Sequence, residues 1–280
     1  MSACEVCGGP CTDLPLGGSV LDACTRCGHL RRDLDRAPAR HRDHAYGGDP
    51  TLDAARLRLT HRALVADGAP ASVFEIGYGA GGLLRAFHDA GARVAGADPD
   101  QLERDVDTVV VAHARLHACG IEDVPAGEPS VDLVYGIHVL EHVVDPIETL
   151  RRTHTLLRPG GSAHFFTPAG DWAGLRLASD GWWMLEDPTH VRFFTADSLI
   201  RAACEAGFDD VEIRRPPLDS LVHDAASAVR RVRPAPRPQG VLAQRSTLAL
   251  TAATLPLTLA ARALVPRLRP TLHLVARRPE

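Results

Sequence analysis

The spacing of apolar positions changes along this chain. Residues 51–66 place Leu52, Leu59, Ala63 and Ala66 at helical spacing, which predicts a helix with those side chains turned inward. From residue 72 onward, short apolar runs alternate with segments of helical period. The runs predict strands over 72–76, 93–97, 131–137, 162–166, 210–214 and 271–276. Helices are expected over 82–90, 146–157 and 196–206, the second stopped by Pro159-Gly160-Gly161 and the third by Gly207. Residues 131–137 are apolar almost throughout, as in a strand buried on both faces. Strands alternating with helices give a doubly wound α/β sheet. Residues 1–45 show no sustained period and read as a small knuckle plus linker. Residues 215–245, rich in Pro and Arg, read as a linker or irregular insertion. The expected division is therefore 1–45, a core over 46–214, and an insertion with a last strand over 215–280.

Composition narrows the class. The chain has 280 residues, 45% apolar and 24% charged, which excludes a mostly disordered, collagen-like or polytopic membrane chain. The net charge of −4 hides a split. Residues 1–210 carry 19 arginines against 31 acids, a net of −12, and residues 211–280 carry 12 against 4, a net of +8. There is no Lys and no Asn, which we read as coding bias rather than chemistry. The basic end encloses an apolar run, 247–265, flanked by Arg245, Arg262, Arg267 and Arg269. Such a run is buried as a lid over a site, pairs with another copy in a homodimer, or rests on a membrane surface. The uncharged stretch 246–261, 16 residues with Pro256 among them, falls short of a spanning helix.

Five of the seven cysteines fall within the first 27 residues, and an odd, clustered count is no disulfide framework. No basic segment followed by an apolar run opens the chain, so a reducing, cytoplasmic location is expected, with membrane association through 247–265 as a variant. Cys4 and Cys7, then Cys24 and Cys27, are two C-x2-C pairs separated by 16 residues, a spacing suited to a structural Zn2+. Four thiolates close a tetrahedral shell and leave no position for chemistry. Cys11 and His29 are spare donors.

A glycine-rich turn follows the first core strand. Gly77, Gly79, Gly81 and Gly82 let the backbone bend sharply and approach a ligand. Glu75 precedes them at the strand end, where it can meet an ammonium group. Asp98 ends the next strand, 21 residues after Gly77, where an acid accepts bonds from ribose hydroxyls. The set favours an adenosine cofactor with an amino-acid tail over a pyrophosphate.

These residues carry a family resemblance. Residues 73–98, then Ile121-Glu122-Asp123-Val124-Pro125, Val131-Asp132-Leu133-Val134, Val139-Leu140-Glu141-His142 and Leu157-Arg158-Pro159-Gly160-Gly161 resemble class I S-adenosyl-L-methionine-dependent methyltransferases. The likeness covers 70–213 and is to the small-molecule enzymes of ubiquinone and natural-product pathways. The cysteine knuckle is similar to that preceding deoxysugar C-methyltransferases. The resemblance implies a Rossmann-like doubly wound sheet with an N-terminal zinc knuckle and a helical C-terminal insertion. It implies that Glu75, Gly77, Gly79 and Gly81 surround the methionine part, that Asp98 holds the ribose, and that Ile121 and Glu122 flank the adenine. Gly120 departs from the Asp that many relatives place there.

Methyl transfer mainly needs alignment, and a base only where the acceptor must lose a proton. His138, after the fourth core strand, is one candidate base. His190 is the other, matching a base of the related sugar enzymes, and His142 reads as structural. Trp172, Trp182 and Trp183 cluster in one loop and point to an apolar or planar acceptor, or else pack that loop; Tyr46 is a candidate cover for the cofactor. The expected partner is a small-molecule acceptor. An RNA acceptor is the rival, drawing on Arg26, Arg31 and Arg32, but the acidic 1–210 argues against nucleic acid. A non-catalytic zinc-binding module is the other alternative, which the intact glycine turn disfavours.

Overall fold

The computed structural model describes residues 3–39, 50–99, 105–233 and 245–280, and Tyr46 lies outside them. The N-terminal segment is more ordered than its sequence period implies. Strands β1 (Cys11–Leu16) and β2 (Ser19–Cys24) form an antiparallel hairpin in which Leu16 faces Ser19. Gly17 and Gly18 are its two-residue loop, and Gly17 takes a φ of 61°, as tight hairpins require. The short strand β3 (Leu30–Arg31) pairs with β2 on one side and with residues 192–193 of the core on the other.

Seven strands form the central sheet: β4 (Ser72–Ile76), β5 (Arg93–Ala97), β6 (Arg115–His117), β7 (Val131–Ile137), β8 (Leu157–Pro168), β10 (Asp210–Arg214) and β11 (Thr271–Arg277). The remaining strand, β9 (Arg192–Phe193), is the partner of β3. The order across the sheet is β10-β11-β8-β7-β4-β5-β6. All neighbours are parallel except β11, which runs antiparallel to both β8 and β10. The order reverses between β4 and β7, and there the carboxyl ends of a doubly wound sheet open a ligand crevice.

Helices α1 (Pro50–Leu64), α2 (Gly82–Asp89), α3 (Thr108–His113), α4 (Pro146–Leu156), α5 (Leu175–Ala178), α6 (Ala196–Glu205), α7 (His223–Val232) and α8 (Arg245–Leu264) complete the described chain. Local chemistry sets their ends. Asp145 caps α4 by accepting from the amides of Ile147 and Glu148, with Pro146 in the first turn. Thr195 and Ser198 form a reciprocal capping box on α6. Strand alternation divides the core: Val73, Leu133 and Tyr135 pack with α2 on one face, while Phe74, Val134 and Phe165 join the cluster of Leu150, Leu199 and Phe208 on the other.

Three expectations are corrected. The helix α1 turns Leu52 and Leu59 to solvent, 42% and 44% exposed, and buries Thr60 and Leu64 instead. Its seating is set by Leu57, whose Cδ1 lies 2.6 Å from where a Cβ on Gly82 would stand. Strand β8 starts at Leu157 and runs through Pro159-Gly160-Gly161, because Gly160 adopts a φ of 70° and the pairing with β7 shifts register there. Residues 215–245 contain α7, whose inward side buries His223, Ala226 and Arg230.

Candidate active site

The glycine turn sits at the switch point between β4 and β7. Gly77, Gly79 and Gly81 all have positive φ, at 74°, 52° and 78°, a region costly for other residues. The turn is tied across the sheet end: Gly77 N–H donates to Ala97 O (2.8 Å) and Gly79 N–H to Asp98 Oδ2 (2.6 Å). A Cβ on Gly77 would lie 3.1 Å from Val139 Cγ2, so the segment after β7 leans directly on this turn.

Glu75 is buried at the end of β4 and accepts a bond from Tyr135 Oη (3.0 Å). Burial, reinforced by the charge of Asp98, pushes its carboxyl well above the usual range. A ligand ammonium is the natural remedy. Tyr78, inside the turn, was not anticipated as a site residue. Its hydroxyl is buried without a hydrogen-bond partner among the described residues, and burial beside Asp98 raises its pKa to about 12. A polar ligand group in the crevice would satisfy it. The spacing of Tyr78 between two positive-φ glycines was the available signal. Ile121 is buried, and Glu122 is exposed with its carboxylate accepting from Thr149 Oγ1, so the two expected adenine neighbours differ in freedom. The residues present therefore fit S-adenosyl-L-methionine: a buried carboxylate for the ammonium, an open glycine cradle, and Asp98 beside it.

A second cluster follows β7. His138 turns the chain with a φ of 57°, and its N–H donates to Phe166 O (2.8 Å). The centre of the cluster is Glu141, a residue not singled out as catalytic from sequence. It is fully buried and accepts from His138 Nδ1 (3.0 Å) and Thr167 Oγ1 (3.1 Å). Burial would raise its pKa, but the His138 bond and the nearby His138, His142 and His190 outweigh it and hold the carboxyl below the usual range. His142 Nδ1 donates to Thr189 O (3.0 Å) and His190 Nδ1 to Met184 O (2.9 Å). A carbonyl only accepts, so both rings carry their proton on Nδ1. His190 Nε2 then faces Glu141 Oε1 at 4.0 Å and Asp187 Oδ2 at 3.7 Å. The two sequence candidates, His138 and His190, thus meet at one carboxylate. Glu141, His142 and His190 bring donor atoms within 4.8 Å of one another, a set that could also hold a divalent ion.

The four knuckle cysteines converge in the same way, with donor atoms within 4.8 Å. Cys4–Cys27, Cys7–Cys24 and Cys7–Cys27 sulfurs lie 3.7, 3.5 and 3.4 Å apart. These are not bonded sulfurs; they approach the ~3.8 Å edge of a tetrahedron with ~2.3 Å metal–sulfur bonds. The spare donor His29 is used elsewhere, its Nε2 bonding Glu5 at 2.8 Å.

Glu5 connects this knuckle to the segment that carries Glu141 and His142. Standing between Cys4 and Cys7, it accepts from Arg192 Nε (2.8 Å) and Nη2 (3.1 Å). Arg192 is 0% exposed and also donates to Val143 O and Val144 O, the two residues after His142. Arg32 reaches His190 O and Leu185 O, each at 2.8 Å. Arg31 pairs with Asp22 and Arg26 with Cys7 O, so the basic side chains expected for a phosphate contact are engaged within the protein.

The tryptophan loop is fastened to the insertion. Trp182 Nε1 donates to His223 Nε2 (3.0 Å) and Trp172 Nε1 to Leu268 O (3.1 Å). Trp172 and Trp182 are buried, and Trp183 is half-buried. The first two serve packing; Trp183 alone keeps a partly open ring.

The sheet order defines a Rossmann-like core with a crevice at its switch point, and comparison names the family. A methyltransferase-domain family matches residues 52–213, more than half the chain. The ubiquinone biosynthesis O-methyltransferase of Cupriavidus pinatubonensis is 32% identical over 183 residues, covering 59% of this chain and 71% of that one. The malonyl-[acyl-carrier protein] O-methyltransferase of Pseudescherichia vulneris is 26% identical, covering 71% and 75%. In fold, the chain is similar to a phosphoethanolamine N-methyltransferase of Haemonchus contortus in complex with S-adenosyl-L-methionine (TM-score 0.54, 16% identity, 83% and 53% covered). The chain belongs to the methyltransferase-domain family and is an S-adenosyl-L-methionine-dependent methyltransferase acting on a small molecule.

Two outcomes are expected. Gly77→Ala forces a side chain into a left-handed turn against Val139 and weakens S-adenosylhomocysteine binding by about tenfold or more, equal to ~1.4 kcal/mol; an unchanged dissociation constant by calorimetry would contradict the assigned cradle. Glu5→Gln leaves the Arg192 guanidinium buried and uncompensated, costing roughly 3–5 kcal/mol in denaturant unfolding. The same pair gives a pH dependence. Burial raises the Glu5 carboxyl, but His29 and Arg192 overcome it and bring it from its ordinary 4.5 down to about 2. A depressed folded value means the stabilisation is complete above pH 4.5 and is lost as pH falls from there towards 2. Glu5→Gln should flatten that part of the stability–pH curve.

Proposed function

We propose that the protein methylates an acceptor hydroxyl or other proton-bearing nucleophile of a small molecule, with His190 as the base. The observation that carries this reading is the fixed tautomer of His190: Nδ1–H is committed to Met184 O, and Nε2 looks towards the Glu141 carboxylate at 4.0 Å. The ubiquinone-pathway and malonyl-carrier relatives are named as O-methyltransferases, which supports oxygen as the acceptor atom.

When bound, S-adenosyl-L-methionine supplies a methyl group already activated on a sulfonium. Glu75 receives the ammonium, and the turn of Gly77, Gly79 and Gly81 admits the methionine part. Asp98 takes ribose hydroxyls, Ile121 walls the adenine, and Glu122 borders it. His190 Nε2 accepts the proton that the acceptor releases on attack. Glu141 stays ionised and steadies the resulting imidazolium, and His138, bonded to the same carboxylate, holds it in place. The knuckle holds a structural Zn2+ through Cys4, Cys7, Cys24 and Cys27. A reducing, cytoplasmic compartment suits four thiolate ligands. The knuckle does not support the RNA reading, since Arg26, Arg31 and Arg32 are already engaged within the protein.

His190→Gln should lower turnover by roughly 10²–10⁴-fold while leaving S-adenosylhomocysteine affinity unchanged. If His190→Ala and His138→Ala both retain parental turnover, proton removal by either is excluded. Metal analysis of the purified chain should find one zinc per molecule, absent in Cys24→Ser. A stoichiometric absence of zinc in the parent would sink the knuckle assignment.

A further inference from the structure

We propose that α8, with α5 and α7 beside it, forms a patch that docks on an anionic lipid surface. The first observation is the distribution of exposed apolar side chains. Of eleven large ones exposed on the described surface, six lie in or beside these helices: Leu177, Leu218, Val232, Leu257, Leu264 and Val265. The helices form one body, with α7 packed against both α5 and α8.

The second observation is that α8 is apolar on its outward side as well, while Leu248, Leu250, Leu255 and Leu259 are half-buried. Ala249, Ala253, Leu257, Ala260 and Leu264 recur every three or four residues and are exposed, while Thr247 and Arg262 are buried. Thr251 and Thr254 fold their hydroxyls back onto the carbonyls of Thr247 and Leu250, at 2.8 Å each. A helix that is apolar on its outward side as well calls for a partner there, and among the described residues Leu257 and Leu264 are left exposed. Only 11% of its most apolar stretch is buried, so it is not a core helix.

Arg262 decides how the helix lies. Its guanidinium donates to Pro217 O (3.2 Å), Asp219 O (2.8 Å), Ser220 O (3.1 Å) and Asp224 Oδ2 (2.8 Å). That network holds α8 against the segment leading into α7. A membrane-spanning pose would strip it and leave a charge in hydrocarbon. The geometry therefore favours a helix lying in the interface plane.

Charge selects the occupant. Residues 225–279 hold ten arginines and no Asp or Glu, and Arg176, Arg231, Arg233, Arg245 and Arg267 are exposed. A second copy of this chain would set one arginine-rich surface against another. A nucleic acid would answer the charge but not the leucines. Anionic headgroups over an acyl region answer both. The patch also backs the acceptor loop, because α7 holds Trp182 through His223 and Trp183 through Ser227.

The test is flotation of the full chain with phosphatidylcholine vesicles, with and without phosphatidylglycerol. The expected result is binding to the anionic vesicles, weaker binding to the neutral ones, and a loss of roughly fivefold or more on raising salt well above physiological strength. Leu257→Glu with Leu264→Glu should reduce binding by about tenfold or more, without changing the melting temperature or S-adenosylhomocysteine affinity. Should that pair destabilise the chain, the headgroup and salt comparisons on the parent still decide. Absence of binding to either vesicle, or parental binding by a folded double variant, overturns the proposal. So does a parental dimer that the double variant converts to monomer in sedimentation velocity, which would make the patch a self-interface. Binding to single-stranded RNA in place of vesicles, unaffected by the double variant, would overturn it in favour of phosphate recognition.

Discussion

A guanidinium with no exposure to water is the constraint on which the rest of this molecule turns. Arg192 sits where only protein can answer its charge; Glu5 accepts two of its four hydrogen bonds, and the carbonyls of Val143 and Val144 accept the other two. Burying such a charge without its partner costs far more than the pair gains. The loop of Cys4 and Cys7 must therefore be in place for the segment after His142 to be in place. The N-terminal knuckle is a buttress of the cluster around Glu141, and the strand pairing of β3 with β9 fixes the same contact through the backbone.

Two buried glutamates show how the surroundings assign different work to one side-chain type. Glu75 lies at the crevice with a tyrosine hydroxyl as donor and another acid nearby, and its proton is held tightly. Glu141 lies on the other side of the switch point among three histidines, and its proton is released readily. The first is suited to recover its charge when a cation arrives. The second is held towards its ionised form by the histidines around it and anchors the His138 ring. Val139, pressed on Gly77, joins the two sites mechanically.

The sheet was legible because its strands are short, continuous apolar runs bounded by glycine and proline; β4, β5, β7 and β10 fall where the runs predict. The glycine turn was legible because left-handed backbone leaves a glycine signature. Elements held by tertiary contacts left weaker marks. Strand β9 is two residues long and exists through its pairing with β3. The seating of α1 depends on Leu57 fitting over Gly82, which a periodic count cannot detect. Among site residues, the histidines stood out by type, but Glu141 read as part of a motif rather than as its centre. Its role comes from partners at Thr167 and His190, brought together only by the fold.

The placing of β11 has a consequence for biosynthesis. This strand, Thr271–Arg277, lies between β8 and β10, and pairs Leu274 with Phe165 on one side and Ile213 on the other. A nascent chain emerging from the ribosome must hold β8 and β10 apart, with open edges and uncovered apolar faces, until residues beyond 270 follow. Closure of the sheet is then a late, long-range event, and the interval before it is when the growing chain is most exposed to misassociation.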